Sequence, residues 1–235
     1  MVLSSREHFE KIIDQFDHLR RILVVGDVGI DQYIFGEVER ISPEAPVPVL
    51  RANRHEKKLG MAGNICNNLN SLGVHSDLIS VIGDDASSEV LKGLLNDIEV
   101  GLDGVISEEA LMTIRKERYL TSAQQICRVD YEPAAFNLSD SSFQACYKNF
   151  ENGLNSSDAV ILQDYSKGLF TQKSIRYFID AGRESGKIIA VDPGKGKPGS
   201  FYQGATLFKP NLFEAKELVR SFGYEDTNIG EICKV

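Results

Sequence analysis

A doubly wound α/β fold with a small second β-layer is the class this 235-residue sequence predicts, on three observations. Short apolar runs recur along the chain, stretches of helical periodicity lie between them, and two segments of strand character break that rhythm. Runs of β-branched and aliphatic residues this short read as buried parallel strands rather than core helices. Strands alternating with helices imply a parallel sheet with right-handed crossovers.

In chain order, RILVVGD (21–27) is the first buried strand. DQYIFGEVERISPEAPVPVLRA (31–52) follows as the first interrupted segment. There Pro46 and Pro48 alternate with Val47 and Val49, which strips donors from one side only and predicts an edge strand. AGNICNNLNSLG sets Ala62, Ile65, Cys66, Leu69 and Leu72 on one helical face and stops at Gly73. DLISVIGDD (77–85) is the next strand and ASSEVLKGLLND the next helix. LMTIRKERYLTSAQQICRVDYE (111–132) is the second interrupted segment, and SSFQACYKNFENGL a further helix. DAVILQD (158–164), KIIAVD (187–192) and ATLFKPN (205–211) complete the strands. Between the first two of these, TQKSIRYFIDAGRESGK runs as a helix from a Thr cap to near Gly186. The two interrupted segments together read as a small β-layer projecting from the main sheet, with ordinary surface loops as the alternative.

Composition narrows the classes of function. A net charge of −8, with no basic block longer than Lys57–Lys58, argues against sequence-independent binding to nucleic acid or to an anionic membrane. Runs such as ILVV and AVIL are far too short to span a bilayer. Arg6, Glu7, Glu10, Lys11 and Asp14 do not fit a secretory signal, so the expected compartment is the cytoplasm. Cys66, Cys127, Cys146 and Cys233 show no C-x-x-C spacing, so zinc is not expected and the thiols are read as reduced. Sequons at Asn137 and Asn155 are read as chance in a cytosolic chain.

Polar residues follow each proposed core strand: Asp27 and Asp31, Asp84 and Asp85, Asp164, Asp192, and Asn211. Open α/β sheets bind ligands at these carboxyl ends. Any one of these residues is as readily a helix cap or turn former. As a set, they suit a ligand rich in hydroxyls, or a hydrated Mg²⁺. The GMAGN stretch places Gly60 and Gly63 at a helix start, where backbone N–H groups can approach a ligand. It is not a P-loop, because G-x-x-x-x-G-K-[ST] is absent.

Individual residues carry the reading further. GDVGIDQYIFG, RISPEAPVPVL, GMAGNICNNLNSLG, QDYSKG, VDPGKG and GATLFKPNLFEA, in this order, resemble the PfkB sugar-kinase family that includes ribokinase. Within it the likeness is greatest to the heptose 7-phosphate kinases, since generic ribokinase-like proteins lack RISPEAPVPV. The resemblance covers about residues 20–220. It implies a ribokinase-like domain over 20–235 behind an N-terminal extension (1–19), with a β-lid at about 31–56 and 111–132.

On that resemblance Asp31, Asn64 and the backbone of Gly60 contact the sugar. Arg128 would contact a sugar phosphate, or else form a surface salt bridge. Asp164 and Lys167 face the cleft, although Lys167 also fits a solvated turn. Asn211 and Glu214 of N-x-x-E would organise ATP phosphates and Mg²⁺, with Glu214 nearest the metal. The lid would also pair with that of a second subunit, giving a homodimer.

Three departures stand out. Met61 replaces a usual second glycine, VDPGKG is one residue longer than the usual form, and Gly-Ala-Gly-Asp is absent. In the family that motif supplies the catalytic base and the anion hole, and Asp226 without flanking glycines is a poor stand-in. The expectation is therefore a C-terminally incomplete kinase, without turnover alone. Its family reaction is ATP-dependent phosphorylation of D-glycero-D-manno-heptose 7-phosphate at the anomeric hydroxyl, towards ADP-heptose for lipopolysaccharide. The alternatives are a non-catalytic sugar-phosphate-binding or dimerising module, or a kinase of this fold for another sugar.

Overall fold

The structure is a computed structural model that describes residues 20–133, 137–221 and 223. The N-terminal extension expected over 1–19, Asp226 and Cys233 lie outside them. The strands are β1 (Arg21–Gly26), β2 (Val28–Ile41), β3 (Pro48–Met61), β4 (His75–Gly83), β5 (Val105–Glu108), β6 (Ile114–Leu120), β7 (Gln125–Tyr131), β8 (Ala159–Gln163), β9 (Ile188–Asp192) and β10 (Leu207–Phe208). The helices are α1 (Ala62–Ser71), α2 (Ala86–Asn96), α3 (Asp140–Leu154), α4 (Gln172–Glu184) and α5 (Leu212–Ser221).

Six strands form the main sheet in the order β10-β9-β8-β1-β4-β5, with every pairing parallel. All five strands expected from the apolar runs are present. Alternation along β1 explains the two layers of core. Leu23 and Val25 face a cluster with Phe150 of α3 and Ile175, Phe178 and Ile179 of α4. Ile22 and Val24 face the other way, against Ala62 and Cys66 of α1 and Leu91 and Leu95 of α2. This is the expected doubly wound arrangement.

Helix starts follow the capping chemistry in the sequence. Asp85 caps α2 and Thr171 caps α4, each in a reciprocal pair with a serine three residues on. The thiols of Cys66 and Cys146 are buried, which pushes them up to about 11 and about 12 respectively.

The second sheet has the order β3-β2-β6-β7. β2 pairs antiparallel with β3 and parallel with β6, and β6 pairs antiparallel with β7. Both interrupted segments are therefore strands rather than surface loops, and the proline-bearing strand β3 lies at an edge, opening at Pro48. Only Asp27 separates β1 from β2, so the second sheet begins at Val28, three residues earlier than Asp31. At its other root β3 runs straight into α1 at Met61.

On the α1/α2 face the cover thins toward β10. Ile161, Ala190 and Leu207 form one cross-strand row, in which Ile161 is partly buried and Leu207 is 57% exposed. Among the described residues no helix is long and apolar enough to cross a membrane.

Candidate functional site

Strands that follow β1 run to one side of it and strands from β8 onward run to the other, so the sheet reverses between β1 and β8. Crevices at such a reversal bind ligands. Asp27 and Asp164 stand at the carboxyl ends of these two strands, both almost wholly buried. Burial, with the neighbouring Asp164 charge acting in the same direction, raises Asp27 to about 6 against the lowering effect of backbone N–H donors. Burial also raises Asp164.

Both carboxylates are spent on loops. Asp27 Oδ2 accepts the backbone N–H groups of Tyr165 (3.2 Å) and Lys167 (3.0 Å). Asp164 accepts the Tyr202 hydroxyl (2.6 Å) and the Ser166 N–H (2.6 Å), while Gly194 N–H donates to the same hydroxyl at 2.7 Å. Asp164 thus lines the crevice floor and holds the loop after β8 to the chain after β9. The same loop carries Ser166 at φ 56, a conformation few non-glycine residues adopt.

Above this floor β2 carries Asp31 and β3 carries Gly60. Gly60 pairs with Gly29, and a Cβ on Gly60 would stand 3.1 Å from Asp31 Oδ2. The glycine therefore leaves the Asp31 carboxylate its space. Asp31 is ion-paired to Arg118 of β6 (Nη1–Oδ1 2.5 Å). Burial opposes the Arg118 charge, but the Asp31 carboxylate outweighs it and raises the guanidinium above its ordinary range. Asn64 is exposed on the first turn of α1, three residues past Met61. Met61 has φ 58 and ψ −130, a backbone that favours glycine, at the departure the sequence flags.

An ion-pair network joins the second sheet to the loop after β8. Glu132 pairs with Lys167 (2.8 Å) and Lys116 (3.3 Å), and Lys116 reaches Asp130 (3.6 Å). Hydrogen bonding from Lys167 leads the causes that lower Glu132. Lys167 is therefore engaged across the crevice rather than a solvated turn residue. Arg128 grips Asp130 with Nε (2.9 Å) and Nη2 (3.1 Å), the salt bridge its sequence context allowed.

Asn211 and Glu214 open α5 in a reciprocal cap. Glu214 N–H donates to Asn211 Oδ1 (3.0 Å), and Asn211 N–H and Nδ2 donate to the Glu214 carboxylate (2.8 and 2.6 Å). Asp85 is likewise a cap, whereas Asp192 pairs with Lys209 (3.4 Å). Among the described residues no group of three or more His, Cys, Asp or Glu is placed to hold a metal. A cavity of about 300 Å³ lined by Arg21, Asp77 and Asn149 lies at the opposite end of the main sheet.

Sequence reasoning missed Arg118, Tyr202 and Glu132. Asp31 and Arg118 are 87 residues apart, and only the β2–β6 pairing brings them together.

Residues 19–234 match the pfkB family of carbohydrate kinases. The chain belongs to the PfkB carbohydrate kinase family. It is 41% identical over 211 residues to the bifunctional protein HldE of Caulobacter vibrioides, covering 87% of this chain and 42% of that protein. To HldE of Aliarcobacter butzleri it is 40% identical over 196 residues, covering 83% and 41%. The chain thus spans about two fifths of the length of these curated relatives.

Among solved structures, Arabidopsis thaliana ribokinase complexed with ribose and ATP superposes with a TM-score of 0.64 at 18% identity, covering 92% of this chain and 67% of that one. Escherichia coli phosphofructokinase-2, solved with substrates and products, gives 0.67 at 20%, with the same coverages. At these identities the likeness establishes the ribokinase-like fold. Membership in the PfkB family places this chain among the carbohydrate kinases, with homology to about two fifths of HldE.

Proposed function

We propose that this chain forms the sugar-binding part of an ATP- and Mg²⁺-dependent kinase acting on D-glycero-D-manno-heptose 7-phosphate at its anomeric hydroxyl, within ADP-heptose synthesis for lipopolysaccharide in the cytoplasm. The observation that carries the reading is the juxtaposition of Asp31 and Gly60 above the β1/β8 reversal. A carboxylate there, given its space by a glycine, can accept two sugar hydroxyls. About 40% identity to two HldE proteins favours the heptose over other sugars.

In this reading β2, β3, β6 and β7 form a lid over the sugar, and Asn64 adds a hydroxyl contact from α1. Lys167 and Arg128 supply positive charge, and Asp164 shapes the floor. ATP would lie toward α5, where Lys195 stands over the Phe213 ring and Lys209 pairs with Asp192. Mg²⁺ usually keeps several waters and takes one or two carboxylates beside the phosphates, which the single Glu214 fits. Bound there, Mg²⁺·ATP supplies the transferable phosphoryl group. The chain's own part is to hold the acceptor hydroxyl in place.

A second reading, which the exposed and unpaired edge of β3 favours, is a non-catalytic sugar-phosphate-binding or dimerising module. Calorimetric titration and a coupled ADP-release assay test both. Heptose 7-phosphate is expected to bind, and Asp31→Ala to lose about 2–5 kcal/mol by leaving sugar hydroxyls unpaired. Equal affinity of the two proteins would remove Asp31 from the site. Turnover is expected only when the chain is joined to a relative's segment bearing Gly-Ala-Gly-Asp. Turnover by the 235 residues alone would place the catalytic base elsewhere, and none in the joined protein would favour the binding module.

A further inference from the structure

The second sheet has a face turned away from Asp31, and its root packs on α1 and α2 through Ile30 and Leu59. Strand register puts Ile30 beside Arg115 in one row of that face, and Lys57, Gln32 and Glu117 in the next. Between these rows and α2 lies a cavity of about 150 Å³. Gln32, Lys57, Arg115 and Ser87 give it a polar side, and Ile30 and Val90 an apolar wall. In a chain of net charge −8, the cavity is lined by two cations and no acid.

Donors are left over there. Arg115 is anchored by its Nε on Glu117 (3.2 Å), by its Nη1 on Ser87 Oγ (3.3 Å), and by the Tyr131 ring, 4.1 Å from the guanidinium carbon. Its Nη2 makes no hydrogen bond to a described residue, and neither does the side chain of Lys57 or Gln32. The two acids close by are committed. Glu117 accepts the Tyr119 hydroxyl (2.8 Å) besides pairing with Arg115. Asp85 accepts the N–H groups of Ser88 (2.8 Å) and Thr113 (2.9 Å). The start of α2 is thereby already capped, so the attraction for an anion comes from the side chains.

We propose that this cavity is a second ligand site, behind the sugar crevice, for a phosphate group carrying a short apolar body. The rigid Arg115 fork suits phosphate oxygens, Lys57 adds a mobile point charge, and Gln32 and Ser87 add neutral donors. One water needs about 10–15 Å³, so the cavity has room for a phosphate and a few carbons against Ile30 and Val90. A phosphate held there fastens β2, β3 and β6 to α2, the three strands that also carry Asp31, Gly60 and Arg118. The site is independent of which sugar the crevice takes.

The test titrates the whole chain, at fixed ionic strength, with n-propyl phosphate, inorganic phosphate and propionate. Binding is read by NMR at the Ser87 amide and the Arg115 Nε–H, which separates this site from any phosphate bound in the crevice. Saturable shifts with a phosphate probe are expected. Tighter binding of n-propyl phosphate assigns the site to an ester, and equal binding assigns it to free phosphate. Arg115→Gln should weaken binding roughly 10-fold or more, the worth of a charged hydrogen bond. Arg115 also neutralises the buried Glu117, so that variant can fail to fold. Lys57→Gln then decides, because the Lys57 side chain holds nothing in the fold, and a several-fold loss is expected. No saturable shift in wild type, shifts with propionate alone, or wild-type affinity in Lys57→Gln would each overturn the proposal.

Discussion

Gly60 and Asp31 are packed so closely that a single methyl group on the glycine would stand 3.1 Å from the carboxylate oxygen. Asp31 is itself fixed by Arg118, so the methyl can be accommodated only by moving the carboxylate. Gly60→Ala should therefore separate stability from binding. Restricting the unfolded chain stabilises by about 0.4–1 kcal/mol, which offsets the crowding. Thermal unfolding is expected to shift little, while heptose 7-phosphate affinity falls on the order of tenfold, about 1.4 kcal/mol. Wild-type affinity in Gly60→Ala would show that Asp31 has room to spare.

Met61 should invert the usual ranking of glycine and alanine. Its side chain is buried, yet its φ of 58 is a conformation glycine adopts at little cost. Strain of this kind costs about 1–3 kcal/mol. Met61→Ala loses the packing and keeps the strain, at about 2–5 kcal/mol. Met61→Gly loses the packing but relieves the strain, so it should be the more stable variant in urea unfolding. The opposite order would mean that the second sheet tolerates this backbone without cost.

Asp27 makes a signed prediction about pH. An unfolded aspartate titrates near 3.8 and the folded Asp27 near 6, so between these values the folded state holds more protons. Its contribution to stability therefore falls as pH rises through that window, by on the order of 3 kcal/mol in all. Asp27→Asn removes the titration and can still accept the Tyr165 and Lys167 N–H groups. The stability of Asp27→Asn relative to wild type should rise from pH 4 to pH 6.5 and then level. A flat difference across that range would show that Asp27 is ionised in the folded protein throughout.

The outer end of the second sheet is expected to carry a subunit contact. Val47 is 51% exposed and Ile41 61%, beside the unpaired edge of β3. Such an edge pairs readily with another chain unless it is covered. Light scattering should report a dimer, and Val47→Lys with Val49→Lys should release monomer. A wild-type monomer at high concentration would refute the contact.

The parts of this fold legible in the sequence were those whose signal is local. Runs such as ILVV in β1 and IIAV in β9 must be buried wherever they fall, and caps such as Asp85 and Thr171 act within one turn. β5 was missed because VISE is half polar and only four residues long. The roots of β2 and β3 were missed, residues 28–30 because they follow β1 with no turn signal, and residues 53–61 because RHEKK is charged and its pairing depends on the partner strand more than on composition. At the site, Asp31 and Gly60 were legible through motif resemblance, but Arg118 was not, because only strand register makes it a neighbour. The N-x-x-E stretch carried two meanings at once, since Asn211 and Glu214 also have the spacing of a helix cap.

The junctions at Asp27 and Met61 have a mechanical consequence. With one residue between β1 and β2, and none between β3 and α1, the second sheet is built into the core at both roots like a cantilever. At these two junctions it has no joint about which to rotate, so a load at its outer end is taken up there as bending. The compliant points are the register breaks between Phe35 and Gly36 and between Val38 and Arg40. Both lie outboard of Asp31 and Gly60. Deflection therefore concentrates in the outer half of the ribbon, and Asp31 and Gly60 stay still while the tip moves.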